Sequence, residues 1–254
     1  MAQDTQPVVA DSLKDQLTDR AGNLPESQKV SLQTWQVALK YLIPLLFAVV
    51  LIIPGYTYFV VNDAGSLLFG EGITPEIRFY TLFRLFGLYA LVFLWGQIML
   101  GPFMQPLNRL YGKNWLYFHR TQGLFALLLA FLHPPILYTA YYVQTGTFNP
   151  MLAVEAYAGD QSMYAYLGMV ALLLLLLTVF SAMMMRKPWM QKHWRKIHLL
   201  NYVVFLLVLV HALKLGSEIQ VMPMQLLYWL MAVTFLLSVG YRRVYRPLIT
   251  KRMF

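Results

Sequence analysis

The chain has 254 residues, 59% of them apolar and only 12% charged, with a mean hydropathy of +0.54. Soluble globular chains carry about 25% charged residues, so this composition excludes a water-soluble enzyme and indicates an integral membrane protein. The net charge is +9, but Lys and Arg are sorted by loop rather than gathered in a stripe, which speaks against nucleic acid as a partner; the lack of cysteine excludes disulfides, iron–sulfur clusters, thiolate zinc and a cysteine nucleophile.

Residues 1–40 read as a polar cytoplasmic tail, with Asp4, Asp11, Asp15, Asp19 and Glu26 set against Lys14, Arg20, Lys29 and Lys40. The tail lacks the short apolar core and small-residue cleavage site of a signal peptide. Six apolar segments follow, each near the ~20 residues that cross about 30 Å of hydrocarbon. They run over Tyr41–Val61, Phe79–Leu100, Leu116–Val143, Met163–Met185, Ile197–Leu215 and Met222–Gly240. The second carries one charge, Arg84, and the third holds Pro134 and Pro135, where a tilt or kink is expected. The expected fold is therefore all-α, a six-helix membrane bundle over residues 41–247, with 248–254 as a short basic C-terminus.

Counting cations orients the bundle. The segment between spans four and five has Arg186, Lys187, Lys192, Arg195 and Lys196 with no acid, and the C-terminal end has Arg242, Arg243, Arg246, Lys251 and Arg252. Arg109 and Lys113 lie between spans two and three. The loop 144–162 instead carries Glu155 and Asp160 with no cation, and the first loop has Asp63, Glu71 and Glu76 against Arg78. The positive-inside rule places both termini in the cytoplasm. Tyr141, Tyr142, Tyr157, Tyr164 and Tyr166 then mark the outer interface, and Trp115, Trp189 and Trp194 the inner one.

Four of the five histidines fall on two spans: His119 and His133 on the third, His198 and His211 on the fifth. Both spans run outward, and separations of 14 and 13 residues correspond to roughly 21 and 20 Å along a helix. His119 and His198 share one depth near the cytoplasmic face; His133 and His211 share another nearer the outside. Two matched pairs are what two stacked haems with bis-imidazole ligation need. The bland alternative is four histidines bonding to neighbouring helices. One geometric difficulty accompanies the pattern. Fourteen residues return to within about 40° of the same face, whereas 13 land about 140° away, so span five needs a bend, a π-bulge or strong tilt. His193 reads as an exposed loop residue.

The stretch His119-Arg120-Thr-Gln-Gly123 followed by His133-Pro134 resembles the third span of the ferric reductase-like transmembrane domain. Trp194-Arg-Lys-Ile-His198-Leu-Leu-Asn-Tyr202 followed by His211 resembles its fifth, with weaker echoes in Arg84-Leu-Phe-Gly87 and Gly101-Pro102. The family includes NADPH oxidases, ferric-chelate reductases and the haem-binding membrane subunit of periplasmic methionine sulfoxide reductase. The resemblance implies two b-type haems between spans three and five, with iron ligands His119 and His198 at the inner site and His133 and His211 at the outer one. It also implies inward-to-outward electron transfer in a multi-pass protein of the bacterial inner membrane. Keeping His119 distinguishes this chain from the sulfoxide reductase subunit's pattern and favours a two-haem relay. The chain ends fourteen residues after Gly240, without the flavin and nicotinamide domains of the full-length oxidases. A separate flavin reductase, reduced flavin or quinol is therefore expected as donor, and ferric chelate, oxygen or a periplasmic reductase subunit as acceptor.

Arg84 is read as a snorkelling anchor or as the charge partner of an outer haem propionate or an anionic acceptor. On the charge-partner reading its replacement by leucine leaves insertion intact and slows oxidation of the outer haem; on the snorkelling reading it has no kinetic effect. Arg120 is read as a partner of an inner propionate or as a plain positive-inside residue. Gly87 and Gly123 are read either as gaps through which a flat porphyrin approaches a helix or as small residues of ordinary helix packing. The function expected is oxidoreductase or electron-transfer subunit; the rival of another class is a haem-free structural or transport protein.

Overall fold

The computed structural model describes residues 26–112, 114–149, 151 and 161–242, and every regular element among them is helical. The chain divides into two compact units, 1–47 and 48–254. Helix α1, Glu26–Tyr56, begins inside the stretch expected to be tail. No Gly or Pro interrupts residues 26–43, so nothing stops the apolar helix from continuing into its polar flank. Residues 1–25 of that tail, the acids Glu155 and Asp160, and the cations beyond Arg242 lie outside the described residues.

α1 passes into a π-turn at Thr57–Val61, closed by the Asn62 amide donating to the Thr57 carbonyl at 3.0 Å. There follow α2 (Ala64–Phe69), α3 (Pro75–Leu100), α4 (Met104–Tyr111) and α5 (Asn114–Thr145). The chain continues through α6 (Gln161–Met183), α7 (Pro188–Gln191), α8 (Trp194–His198), α9 (Asn201–Leu215) and α10 (Met224–Gly240). α3 opens as physical chemistry favours, with extended Thr74 before it, Pro75 at its first position and Glu76 in its first turn. α5 stays helical through Pro134 and Pro135.

Among the described residues five stretches are long and apolar enough to cross a membrane: Val37–Val61, Pro75–Leu100, Trp115–Thr145, Gln161–Met183 and Trp194–Leu215. α10 is apolar too, but its 17 residues span about 26 Å, somewhat less than ~30 Å of hydrocarbon. Large apolar side chains such as Leu173, Leu226, Leu236 and Leu237 lie exposed on the bundle's outside, where lipid tails rather than water would meet them.

In the second unit α3 is the central element. It packs along α5 and also meets α9 and α10, while α6 packs along α9. Val92, Val204, Phe205, Met224 and Met231 are fully or almost fully buried at the core. Polar side chains lock the helices where apolar packing alone leaves the register open. Gln97 on α3 donates to the His119 carbonyl at 2.9 Å and to the Gln122 amide oxygen, and Gln122 donates to the Phe93 carbonyl at 2.7 Å. Trp95 Nε1 donates to Thr234 Oγ1 of α10 at 2.9 Å.

Gln122→Leu leaves the Gln97 amide short of a partner in a dry interface, at a cost of about 1–3 kcal/mol. In a double-mutant cycle with Gln97→Leu, the pair should couple by about 0.6–1.7 kcal/mol. Thermal unfolding of the four proteins in one detergent measures this, and strict additivity would exclude the lock.

Candidate functional site

A cavity of about 470 Å³ separates the α3–α5 pair from the α6–α9 pair, within the roughly 300–1,000 Å³ typical of cofactor sites. Its walls are apolar and small, with Gly87, Ala90, Ala126, Ala130, Gly168 and Ala171 among them. His133 of α5 and His211 of α9 line it together, and Arg84, Ser217 and Glu218 line it too.

The two imidazoles are held alike. His133 Nδ1 lies 2.7 Å from the Phe83 carbonyl, and His211 Nδ1 lies 2.8 Å from the Tyr164 carbonyl. A carbonyl only accepts, so each Nδ1 carries the proton and each Nε2 keeps its lone pair. Each ring also rests on a glycine of the neighbouring helix. A Cβ at Gly87 would sit 2.7 Å from His133 Cε1, and one at Gly168 would sit 2.7 Å from His211 Cε1. Gly87 thus gives room to a histidine ring, whereas a Cβ at Gly123 would meet the Gln97 amide at 3.1 Å. The latter glycine serves the α3–α5 lock. Gly168 carried no signal in the sequence beyond being a small residue on an apolar helix.

The ring centroids of His133 and His211 are 6.5 Å apart, with planes at 90°. An iron held between two imidazole nitrogens, about 2 Å from each and with roughly 1.1 Å from nitrogen to ring centre, would put the centroids about 6.2 Å apart. The tautomers, the spacing and the small-residue walls therefore fit a bis-imidazole haem. Among the described residues no three His, Asp or Glu side chains gather as a bare metal ion would need.

His119 and His198 are arranged differently. Both are partly buried, yet no ring contact joins them; His198 instead lies 6.2 Å from Trp194, centroid to centroid. His119 Nδ1 is buried with no hydrogen-bond partner among the described residues. His198 Nδ1 is 3.2 Å from the Asn201 amide, whose other atom meets Thr178 Oγ1 at 2.7 Å. Part of the rotation that the 13-residue step required lies between α8 and α9. There the amides of Leu200 and Tyr202 donate to the carbonyls of Ile197 and Leu199, three residues back, at 2.9 and 3.1 Å. Such turns hold 3.0 residues, adding about 20° per residue to the α-helical 100°. Three such residues reduce the mismatch between His198 and His211 from about 140° to about 80°.

Arg84 has a partner that the charge count did not suggest. Its guanidinium forms an ion pair with Glu218 and donates to Ser217 Oγ at 2.6 Å, and Ser217 Oγ donates to Glu218 Oε2 at 3.0 Å. Glu218 sits in the short turn after α9, with only 5% of its side chain exposed. The sequence signal was available in principle: one acid follows span five where one arginine begins span two, on the same side. Arg84 therefore lines the cavity with its charge already answered. Arg120 is exposed. Arg242 is half-buried, with its guanidinium 3.5 Å from Tyr202 Oη. His193 is exposed as expected.

Residues 86–209, just under half of the chain, match the family model described as ferric reductase like transmembrane component. The matched segment includes His119, His133 and His198 and stops two residues before His211. No curated protein and no solved structure matches the chain. The apolar helices and this segment fit a multi-pass membrane protein, and the match points to membrane electron transfer.

The ion pair changes the outcome expected of Arg84→Leu. Removing the guanidinium strands a buried carboxylate, which typically costs about 3–5 kcal/mol. Arg84→Leu should therefore lower the melting temperature in detergent, and Arg84→Leu/Glu218→Leu should recover most of the loss. A single variant as stable as the parent would show that Glu218 does not depend on Arg84.

Proposed function

From a ferric reductase-like transmembrane segment as premise, we propose that this chain is a membrane b-type cytochrome. It relays electrons across the bilayer from a cytoplasmic-side donor to an outer-side acceptor. The observation that carries the reading is the His133–His211 pair, 6.5 Å apart across a small-residue cavity with both Nδ1 atoms tied to backbone carbonyls. A haem held there supplies an iron that gains and loses one electron with little rearrangement.

The chain's own residues do the rest. The carbonyls of Phe83 and Tyr164 fix the tautomers and raise the basicity of the two imidazoles. Gly87 and Gly168 admit the rings. The apolar walls keep water away, and Arg84 and Glu218 add no net charge. His119 and His198 hold the second haem nearer the inner face, giving two stations about 20 Å apart. α10 is the sixth crossing, with Tyr241 and Arg242 extending it toward the inner interface.

The orientation rests on the cations. Arg186, Lys187, Lys192, Arg195 and Lys196 lie between α6 and α9, while Asp63, Glu71 and Glu76 lie between α1 and the start of α3. That contrast puts the former in the cytoplasm. The donor is a separate flavin reductase, reduced flavin or quinol, and the acceptor is ferric chelate, oxygen or an outer-side reductase subunit.

A pyridine haemochrome assay on the purified protein should give two b haems per chain, with sharp reduced α and β bands. His133→Ala should remove one and leave the other. Gly168→Ala, which drives a methyl into the His211 ring, should weaken haem binding at that site by about 10–100-fold. Gly240→Ala, whose added Cβ meets no atom of the described residues within 4 Å, is the matched control. A wild-type chain without haem would refute the reading.

A further inference from the structure

A second cavity, of about 270 Å³, adjoins the one that His133 and His211 line. Arg84, Ser217 and Glu218 border both, so the ion pair and its bridging hydroxyl stand between the two. Tyr58 on the π-turn, Asn62 just after it and α2 form the far side. Tyr58 is fully buried, and its hydroxyl donates to the Thr81 carbonyl at 2.5 Å, which pins the π-turn to α3. We propose that this second cavity is the antechamber through which the external acceptor approaches the outer haem, and that Glu218 is its specificity-determining residue. By cancelling the charge of Arg84, Glu218 leaves the antechamber suited to small uncharged oxidants and without attraction for anions. This rests on the reading of the chain as an outward-directed cytochrome, and it names the class of its acceptor.

Position, charge and an unused donor support this. With the cation-rich loops in the cytoplasm, the π-turn, α2 and the turn after α9 lie at the outer face, so the antechamber sits between the outside and the histidine pair. Among the described residues that line the two cavities, Arg84 and Glu218 are the only Lys, Arg, Asp or Glu. A cleft lined by one sign of charge concentrates ions of the other sign. Arg84 alone would therefore gather anions, and its pairing with the buried Glu218 carboxylate cancels that field. The Arg84 Nε is buried and has no hydrogen-bond partner among the described residues, so one N–H remains for an uncharged molecule with a lone pair. The volume is below the roughly 300–1,000 Å³ of sites that take larger ligands. Of the acceptors named above, oxygen meets these conditions and an anionic ferric chelate does not. Oxygen takes up one electron there to become superoxide, while the outer haem iron passes from ferrous to ferric.

The chain has no cysteine, so a thiol introduced as Asn62→Cys is unique and reads the antechamber whether or not haem is bound. Methanethiosulfonate reagents bearing a sulfonate, a trimethylammonium or no charge should label it at similar rates, each taken relative to its rate with 2-mercaptoethanol. Adding Glu218→Gln uncovers the Arg84 charge. The anionic reagent should then gain about fourfold at low salt, the effect of one unit charge at about 5 Å in water, and the cationic one should lose as much. The uncharged reagent should keep its rate. Arg84→Gln/Glu218→Gln, which removes both charges, should restore the equality. Capping the Asn62→Cys thiol with a bulky uncharged maleimide should remove most of the rate at which oxygen oxidises the reduced, haem-loaded protein. An anionic preference with Glu218 in place, unaltered ratios without it, or capped and uncapped proteins oxidised at one rate would overturn the proposal. If Glu218→Gln does not accumulate, the ratio in Asn62→Cys alone decides it. The labelling needs no haem, so its failure is distinct from that of the cytochrome reading, which a wild-type protein without haem would refute.

Discussion

Inside a bilayer a polar side chain has no water to bond with, so a buried donor or acceptor without a partner in the protein is costly. That constraint organises the interior of this bundle. Gln97 and Gln122 answer one another between α3 and α5, and Trp95 reaches Thr234 on α10. Arg84 and Glu218 neutralise each other beside the cavity. The rings of His133 and His211 use backbone carbonyls exposed on adjacent helices, Phe83 on α3 and Tyr164 on α6. Each of these bonds joins elements far apart in the chain, so polar satisfaction and helix arrangement are one problem with one solution.

The same constraint prepares the histidines for chemistry. An imidazole whose Nδ1–H is held by a carbonyl presents a single basic nitrogen in a fixed direction. For His133 and His211 the fold itself sets orientation and tautomer. The glycines at 87 and 168 belong to this arrangement. Only a residue without a Cβ lets the opposing ring lie close enough to the neighbouring helix. The cavity between the rings exists because α3 packs on α5 and α6 on α9, leaving α5 and α9 facing across a gap.

The two histidine pairs are not equivalent, and the difference follows from local backbone. His211 lies deep in a regular stretch of α9, where a neighbouring helix offers a carbonyl at the right height. His198 lies at the tightened junction of α8 and α9, where three-residue turns rotate the chain and bring Asn201 beneath the ring. The turn that reduces the 13-residue mismatch therefore also supplies the side chain that contacts His198. Arg242, from beyond α10, adds a half-buried cation close to Tyr202.

Much of this protein was legible in its sequence. Apolar segments of membrane-crossing length determine that it is helical and multi-pass, because lipid permits little else, and the described spans begin and end within a few residues of those expected. The spacing of the histidines on the third and fifth spans, and the need for a bend in the fifth, are properties of helical geometry and needed no tertiary information. The partners did not follow in the same way. Charges counted by loop put Arg84 and Glu218, 134 residues later, on the same side, but such a count describes orientation and does not pair them. Gly123 looked like a porphyrin gap and serves a glutamine, while Gly168 went unremarked and receives His211. One-dimensional periodicity states which face of a helix a residue occupies. Only the packing of the helices decides what that face meets.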